Sequence, residues 1–218
     1  SEACRWYREH YGKGIFFPIV RDEQAFRMQC REALPVSLSL QEEYALRGKK
    51  VVLYVGRLAP ETNLECLVRA AASLPEDTVL VIVGSGSLKE ELQHLAGRMQ
   101  VSAIFPGWLE GVRLAAWYNL ADIFVLPSLV EPFGAVVNDA LAAGCFCLVS
   151  GRCGSSWLIR QGWNGELFDP EDEERLASLL REACRNRGVR PSFPPLKECL
   201  MPAGFREYVN HLMEHMGL

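Results

Sequence analysis

Two carboxylates stand close together in the stretch PSLVEPFGAVVNDALAAG, residues 127–144. Glu131 follows an apolar run and precedes a Pro-Phe-Gly turn, and Asp139 comes eight positions later, about two turns into an apolar helix pattern. A carboxylate among apolar neighbours is costly unless it is paired or hydrogen-bonded. Asp139 could therefore face outward or bond to a local backbone group. The alternative is that both carboxylates accept hydrogen bonds from hydroxyl groups of one elongated ligand, since a vicinal diol offers two donors.

Glycine-rich turns follow three other apolar runs of the chain. Gly56-Arg57 follows the first, Gly84-Ser85-Gly86 the second and Gly107-Trp108 the third. Glycine lets a backbone turn tightly and approach a ligand closely. A guanidinium at such a turn can pair with two phosphate oxygens at once. The backbone N–H groups of Phe133-Gly134, at a helix N-terminus, would likewise suit an oxygen-rich or anionic ligand.

The elements that must position these residues alternate along the chain. Near-continuous Val/Ile/Leu runs read as buried parallel strands, and the segments between them have helical spacing. This alternation predicts an α/β fold, a doubly wound, Rossmann-like parallel sheet, in which ligands bind beyond the carboxyl ends of the strands. The predicted strands are 51–55, 78–84, 102–107, 122–128, 146–151 and 165–170, and the predicted helices are 61–74, 87–99, 110–120, the segment carrying Asp139, 154–162 and 171–186.

The flanks differ in pattern from this alternating core. Residues 1–48 should hold one or two helices, Cys4–His10 and Glu23–Ala33, around a short strand, IFFPIV. The Pro-rich stretch RPSFPPL (190–196) reads as a connector to a final helix near Ala203–Met216. We therefore predict three parts: a leading segment at 1–48, a Rossmann-like domain at 49–188, and a connector with a C-terminal helix at 189–218.

Bulk composition limits the function classes. The net charge of −4 disfavours a nucleic-acid partner, which would require a basic face. The eight cysteines show no zinc spacing, so we expect free thiols of a cytoplasmic protein and no metal site. No apolar run approaches the ~20 residues of a membrane span. The chain begins without Met and is expected to be part of a longer protein.

A dinucleotide-dependent oxidoreductase is the first alternative. Gly84-Ser85-Gly86 resembles the beginning of a G-x-G-x-x-G fingerprint, but position 89 is Lys, and no acidic residue ends the next strand. The turn can still hold a phosphate through its backbone N–H groups. The sequence therefore favours a phosphate-containing ligand over a nicotinamide cofactor.

Four motifs in order carry a family resemblance. They are YVGRL (54–58), VIVGSGSLKEEL (81–92), ADIFVLPSLVEPFGAVVNDALAAG (121–144) and GWNGELFDPED (162–172). Together they resemble the donor-binding domain of a retaining glycosyltransferase of the GT-B fold, family 4 (glycosyl transferases group 1). The segment FFPIVRDEQAFR (16–27) is similar to the hinge of that family.

The resemblance implies roles for individual residues. Arg57 would contact the diphosphate of a UDP- or GDP-sugar, Glu131 would hold hydroxyls of the donor sugar, and Asp139 would bind the ribose diol. The catalytic residues implied are Arg57 and Glu131. The donor-binding residues implied are Gly56, Arg57, Gly84, Ser85, Trp108, Glu131, Pro132, Phe133, Gly134 and Asp139. No cofactor beyond the nucleotide-sugar co-substrate and no metal ligand is implied.

The chain departs from the family pattern at three places. The family has a Lys five residues after the Arg, and this chain has Thr62. The second acid is usually Glu, and here it is the shorter Asp139. The loop after the 146–150 strand, usually Gly-Gly with an acid downstream, reads GRCGSSW (151–157). Arg152 or Lys89 could replace the missing cation.

The resemblance also implies a larger protein. A GT-B enzyme has a second, N-terminal domain that binds the acceptor, so this chain is expected to be a C-terminal half that is inactive alone. The whole enzyme would transfer a hexosyl group to a saccharide or lipid-linked acceptor in glycan biosynthesis, in the cytoplasm or at the membrane periphery. The alternative is a non-catalytic nucleotide-sugar-binding or interaction module derived from such an enzyme.

Overall fold

The protein is described by a computed structural model at residues 21–186 and 196–216, without the side chains of 211, 212 and 214–216. Six parallel strands form one sheet in the order β3-β2-β1-β4-β5-β6. The strands are β1 (Lys50–Val55), β2 (Thr78–Val83), β3 (Ala103–Gly107), β4 (Ile123–Leu126), β5 (Phe146–Ser150) and β6 (Gly165–Phe168). The strand order reverses direction between β1 and β4, which is where ligands bind in doubly wound sheets.

Helices cover both faces of the sheet. Helix α3 packs on both α4 and α7, and α1, α2, α5 and α6 form the second group. The α-helices are α1 (Glu23–Glu32), α2 (Leu34–Glu43), α3 (Leu64–Ala71), α4 (Lys89–Arg98), α5 (Gly111–Leu120), α6 (Val136–Ala142), α7 (Glu173–Asn186) and α8 (Phe205–Met216). Two 3₁₀ turns, Pro60–Thr62 and Gly154–Leu158, complete the described elements.

The central strands are apolar because both faces of the sheet are covered. Every residue of β1, β2 and β4 is buried. β1 pairs with β2 in an unbroken register from Lys50 opposite Thr78 to Val55 opposite Val83. This regular pairing brings the turns after β1 and β2 to the same height at the carboxyl edge of the sheet.

The flanks pack on the sheet domain. Arg27 on α1 donates to the carbonyl oxygens of Ala142 and Lys197, at 2.8 and 3.1 Å. The Leu200 N–H donates to Leu141 O at 2.8 Å, so the segment that enters α8 is bonded to the end of α6. Within the described ranges, none of the helices combines the length and apolarity required to cross a bilayer.

The predicted strands are confirmed with ends shifted by a few residues, but several helix predictions were wrong. Helix α2 was not predicted. Segment 154–162, predicted as a short helix, forms only the 3₁₀ turn. Asp139 was placed about two turns into its helix, yet it is the fourth residue of α6, in the first turn. The predicted elements Cys4–His10 and IFFPIV lie outside the described residues.

Candidate functional site

The turns after β1 and β2 interlock through their backbones at the carboxyl edge of the sheet. The Leu58 N–H donates to Ser85 O at 2.9 Å. Gly84 has φ +144°, and a Cβ atom there would lie 1.8 Å from Gly56 O. The turn after β2 therefore requires glycine at position 84, and the two turns hold each other in one arrangement.

A cleft of about 270 Å³ opens at this edge. Gly56, Arg57, Gly84, Ser85 and Trp108 all line it. The Trp108 ring is 65% exposed, although large apolar side chains usually find cover in a folded domain. The structure thus brings together five of the residues that the sequence singled out. Glu131 and Asp139 are not among the described residues that line this cleft.

Arg57 holds its guanidinium in solvent above the cleft. Its side chain is 77% exposed, and Nη2 lies 2.9 Å from Glu61 Oε1. An exposed ion pair of this kind contributes little to stability and can exchange readily. The guanidinium can therefore leave Glu61 for an anion of higher charge.

The residue at the position of the expected lysine is turned inward. Thr62 is only 5% exposed, and its hydroxyl donates to Ala59 O at 2.6 Å within the 3₁₀ turn. The position supplies a structural hydrogen bond and no positive charge. Arg152 and Lys89 are the two candidates to replace the missing cation. Arg152 pairs with Asp169 and Glu171, at 3.1 and 2.5 Å. Lys89 is the first residue of α4, which follows the Gly84 turn in the chain.

Glu131 closes the loop that leads from β4 to α6. Its Oε1 accepts hydrogen bonds from the N–H groups of Phe133, at 3.2 Å, and Gly134, at 3.0 Å. These are the N–H groups that the sequence offered to a ligand, and here they hold the Glu131 carboxylate. The Phe133 ring is 61% exposed and Pro132 is also exposed, so the outer side of the loop faces solvent.

A backbone contact joins the turn after β1 to the loop after β4, the two strands between which the strand order reverses. The Leu129 N–H, in the loop after β4, donates to Glu61 O at 2.9 Å. Glu61 therefore contacts the β4 loop through its carbonyl oxygen and Arg57 through its carboxylate. The turn after β1 and the loop that carries Glu131 are linked through one residue.

Asp139 is a buried carboxylate that pairs with the charged side chain of Arg21. Its side chain is 3% exposed, and Oδ2 lies 2.5 Å from Arg21 Nη1. Oδ1 is buried and has no hydrogen-bond partner among the described residues. Burial raises the pKa of Asp139 to about 6, although the charge and hydrogen bond of Arg21 act to lower it. Neither local interpretation holds, because Asp139 does not face outward and its partner is 118 positions away.

We expect Asp139→Asn to change the pH dependence of stability. The pKa of Asp139 is higher in the folded chain than the ~3.9 of an unfolded chain, so the native state binds the proton more tightly. The wild type therefore loses stability as pH rises from about 4 to about 6, and the variant avoids that loss. The gain of the variant over wild type should be larger at pH 7.5 than at pH 4.5, by on the order of 2 kcal/mol.

Urea unfolding at both pH values measures this difference. Gln93→Ala, on the exposed side of α4, is the control because it changes no titratable group, and it should show the same difference from wild type at both values. Equal effects of Asp139→Asn at pH 4.5 and 7.5 would contradict a raised pKa at this position.

Two residues at this edge were not found from the sequence. Tyr54 reads as one more apolar residue of a strand, yet its hydroxyl donates to Arg57 O at 2.8 Å. Arg21 lies in the segment before α1, where nothing indicates a buried partner. A hydroxyl within an apolar run was the available signal for Tyr54.

No group of three or more His, Cys, Asp and Glu side chains in the described ranges could hold a metal ion.

A family model described as Glycosyl transferases group 1 matches residues 39–194, well over half of the chain. The chain belongs to this family. An uncharacterized glycosyltransferase of Methanocaldococcus jannaschii is 33% identical over 71% of the chain and 43% of that relative. A GDP-mannose-dependent alpha-mannosyltransferase of Mycolicibacterium smegmatis is 33% identical over 79% of the chain and 42% of that relative. This group 1 glycosyltransferase chain thus spans less than half the length of these relatives.

Solved structures show the same fold. WaaG, a glycosyltransferase involved in lipopolysaccharide biosynthesis, superposes with a TM-score of 0.68 at 21% identity, over 82% of this chain and 50% of that one. HepE of Anabaena, solved in complex with UDP and glucose, gives a TM-score of 0.67 at 20% identity, over 84% of this chain and 52% of that one. The Rossmann-like prediction is confirmed, and the group 1 glycosyltransferase domain shares its fold with these enzymes.

Proposed function

We propose that this chain is the donor-binding half of a retaining, family 4 glycosyltransferase that takes a hexosyl group from a UDP- or GDP-sugar. The observation that carries the proposal is the cleft at the carboxyl edge of the sheet, beside the point between β1 and β4 where the strand order reverses. There the exposed Arg57 guanidinium, the Gly84-Ser85 turn and the exposed Trp108 ring converge. A diphosphate suits the guanidinium and the turn N–H groups. A nucleoside suits an exposed aromatic ring.

The roles divide along the edge of the sheet. Arg57 neutralises the diphosphate as it departs, so it supports the leaving group in the transition state. Glu131 and the loop of Pro132, Phe133 and Gly134 hold the donor sugar, with the Glu131 carboxylate exchanging its N–H partners for sugar hydroxyls. Asp139 would bind the ribose diol through Oδ1, which is buried in this structure, so binding requires the surroundings of α6 to open. The nucleotide-sugar is a co-substrate, and the proposal includes no resident cofactor.

The acceptor belongs to the rest of the protein. We propose a preceding domain that binds a saccharide or lipid-linked acceptor, in a cytoplasmic or membrane-peripheral enzyme of polysaccharide or cell-surface glycan synthesis. Positioning of the donor is the contribution of this half, because transfer requires both reactants to be held in line. The chain alone is expected to bind the donor and to transfer nothing.

Two observations favour a second candidate, a non-catalytic nucleotide-sugar-binding module. Thr62 is buried where a second cation is expected, and Arg57 already has an acidic neighbour in Glu61. A leaving diphosphate with one cation fewer is less stabilised. Donor hydrolysis by the full-length protein separates the two candidates, since the module binds the donor without cleaving it.

Thermal unfolding with UDP, GDP, ADP and NAD tests the shared claim. A ligand at about 100 times its Kd adds about 2.7 kcal/mol of stability. That gain corresponds to a rise in Tm of roughly 5–10 °C for a domain of this size. We expect UDP or GDP to give this shift, Arg57→Ala to remove most of it, and Arg98→Ala, an exposed arginine at the end of α4, to keep it. The absence of a shift with every nucleoside diphosphate would contradict the proposed site.

A further inference from the structure

Tyr54 ends in a polar atom directly beneath the proposed phosphate site. It is the fifth residue of β1 and is 1% exposed. A Cβ atom on Gly56 would lie 2.5 Å from its hydroxyl oxygen, so the hydroxyl fills the space under the turn. A side chain at position 56 would therefore displace the Tyr54 hydroxyl, a constraint separate from the interlocking of the two turns.

The hydroxyl makes a specific contact there. It donates to Arg57 O at 2.8 Å, across only three positions of sequence. Burial raises the pKa of Tyr54 far above its ordinary value, against a smaller lowering by the Thr62 side chain. The hydroxyl therefore keeps its proton at neutral pH and remains a donor.

The backbone of residues 56–58 is anchored on two sides. The N–H groups of Gly56 and Leu58 donate to Val83 O and Ser85 O, at 3.0 and 2.9 Å, which ties the turn to β2 and its turn. The Tyr54 hydroxyl anchors Arg57 O from below. Among the residues that the structure describes, the guanidinium itself has only the weak, exposed pair with Glu61. The direction in which Arg57 leaves the turn is thus fixed by its backbone.

We propose that Tyr54 is a positioning residue for Arg57, whose buried hydroxyl holds the turn after β1 so that the guanidinium points at the diphosphate of the donor. The inference rests on the proposed function, and it adds a residue to that site. Without the hydroxyl, Arg57 O loses a buried partner and the turn can rotate. The cost should then fall on recognition of the phosphates more than on global stability, because the aromatic ring still fills the core.

The test compares Tyr54→Phe with Tyr44→Phe, which removes a hydroxyl that interacts with Glu43 at the end of α2. Calorimetric titration with UDP or GDP should show a Kd about five-fold higher for Tyr54→Phe and unchanged for Tyr44→Phe. Without ligand, amide hydrogen exchange at Leu58 should be faster in Tyr54→Phe only. Adding Tyr54→Phe to Arg57→Ala should weaken binding no further, because the hydroxyl acts through Arg57.

The outcomes separate this inference from the proposed function. A wild-type chain that binds no nucleoside diphosphate overturns both. Wild-type binding with an equal Kd in Tyr54→Phe overturns the positioning role alone. An undiminished effect of Tyr54→Phe in the Arg57→Ala background also overturns it, since the tyrosine would then act on stability or on another contact.

Discussion

Gly84→Ala is expected to lower the free energy of unfolding by about 3 kcal/mol, more than most single substitutions. The new Cβ would lie 1.8 Å from Gly56 O and 3.0 Å from Gly56 C, and both atoms are backbone. The turn cannot withdraw, because the Gly84 N–H donates to Gly107 O at 2.8 Å. The φ of +144° adds strain for any residue with a side chain. Urea unfolding monitored by circular dichroism measures the loss.

Gly97→Ala is the matched control for this substitution. Gly97 lies inside α4, and a Cβ atom there meets nothing within 4 Å. The same chemical change should therefore raise stability, by about 0.5–1 kcal/mol, because alanine favours the helix. A Gly84→Ala chain as stable as wild type would show that the turns after β1 and β2 do not interlock as described.

Lys197→Met should lower the free energy of unfolding by about 2 kcal/mol. The Lys197 ammonium donates to Tyr118 O at 3.1 Å and to Ala121 O, at the end of α5. The last carbonyl groups of a helix have no partner within it. A cation there is also attracted to the negative end of the helix dipole. Methionine keeps a similar apolar stem and removes only the charge and the donors.

Arg175→Met, on the exposed surface of α7, controls for the loss of one positive charge and should change stability by less than about 0.5 kcal/mol. Chemical unfolding of both variants under identical conditions provides the comparison. If the two variants lose the same small amount, Lys197 does not cap α5.

The strands could be predicted because a strand buried on both faces is a nearly continuous run of apolar residues, as in VVLYV and TVLVIV. The glycine turns followed from the same pattern, since they come immediately after those runs. Helix α2 was missed because Pro35 suggests a break, whereas it lies in the first turn of that helix. Proline is tolerated at that position, where its missing N–H would have no helical partner.

The partners of the candidate site residues could not be predicted in the same way. The pair of Arg21 with Asp139 joins residues 118 positions apart, and nothing local to either residue indicates it. The Glu131 contacts with Phe133 and Gly134 are local, but their spacing fits a ligand site equally well. Local patterns therefore located the edge of the sheet, and only the folded chain shows which polar groups meet there.

The first turn of α1 meets the beginning of α8, where the Phe205 N–H donates to Glu23 Oε2 at 2.7 Å. Positions 23 and 205 are thus neighbours in space although 181 residues separate them in the sequence. The chain between these two positions therefore begins and ends at neighbouring points of the structure. Such an arrangement suits circular permutation and insertion into another polypeptide, because a short linker can join the ends without disturbing the sheet.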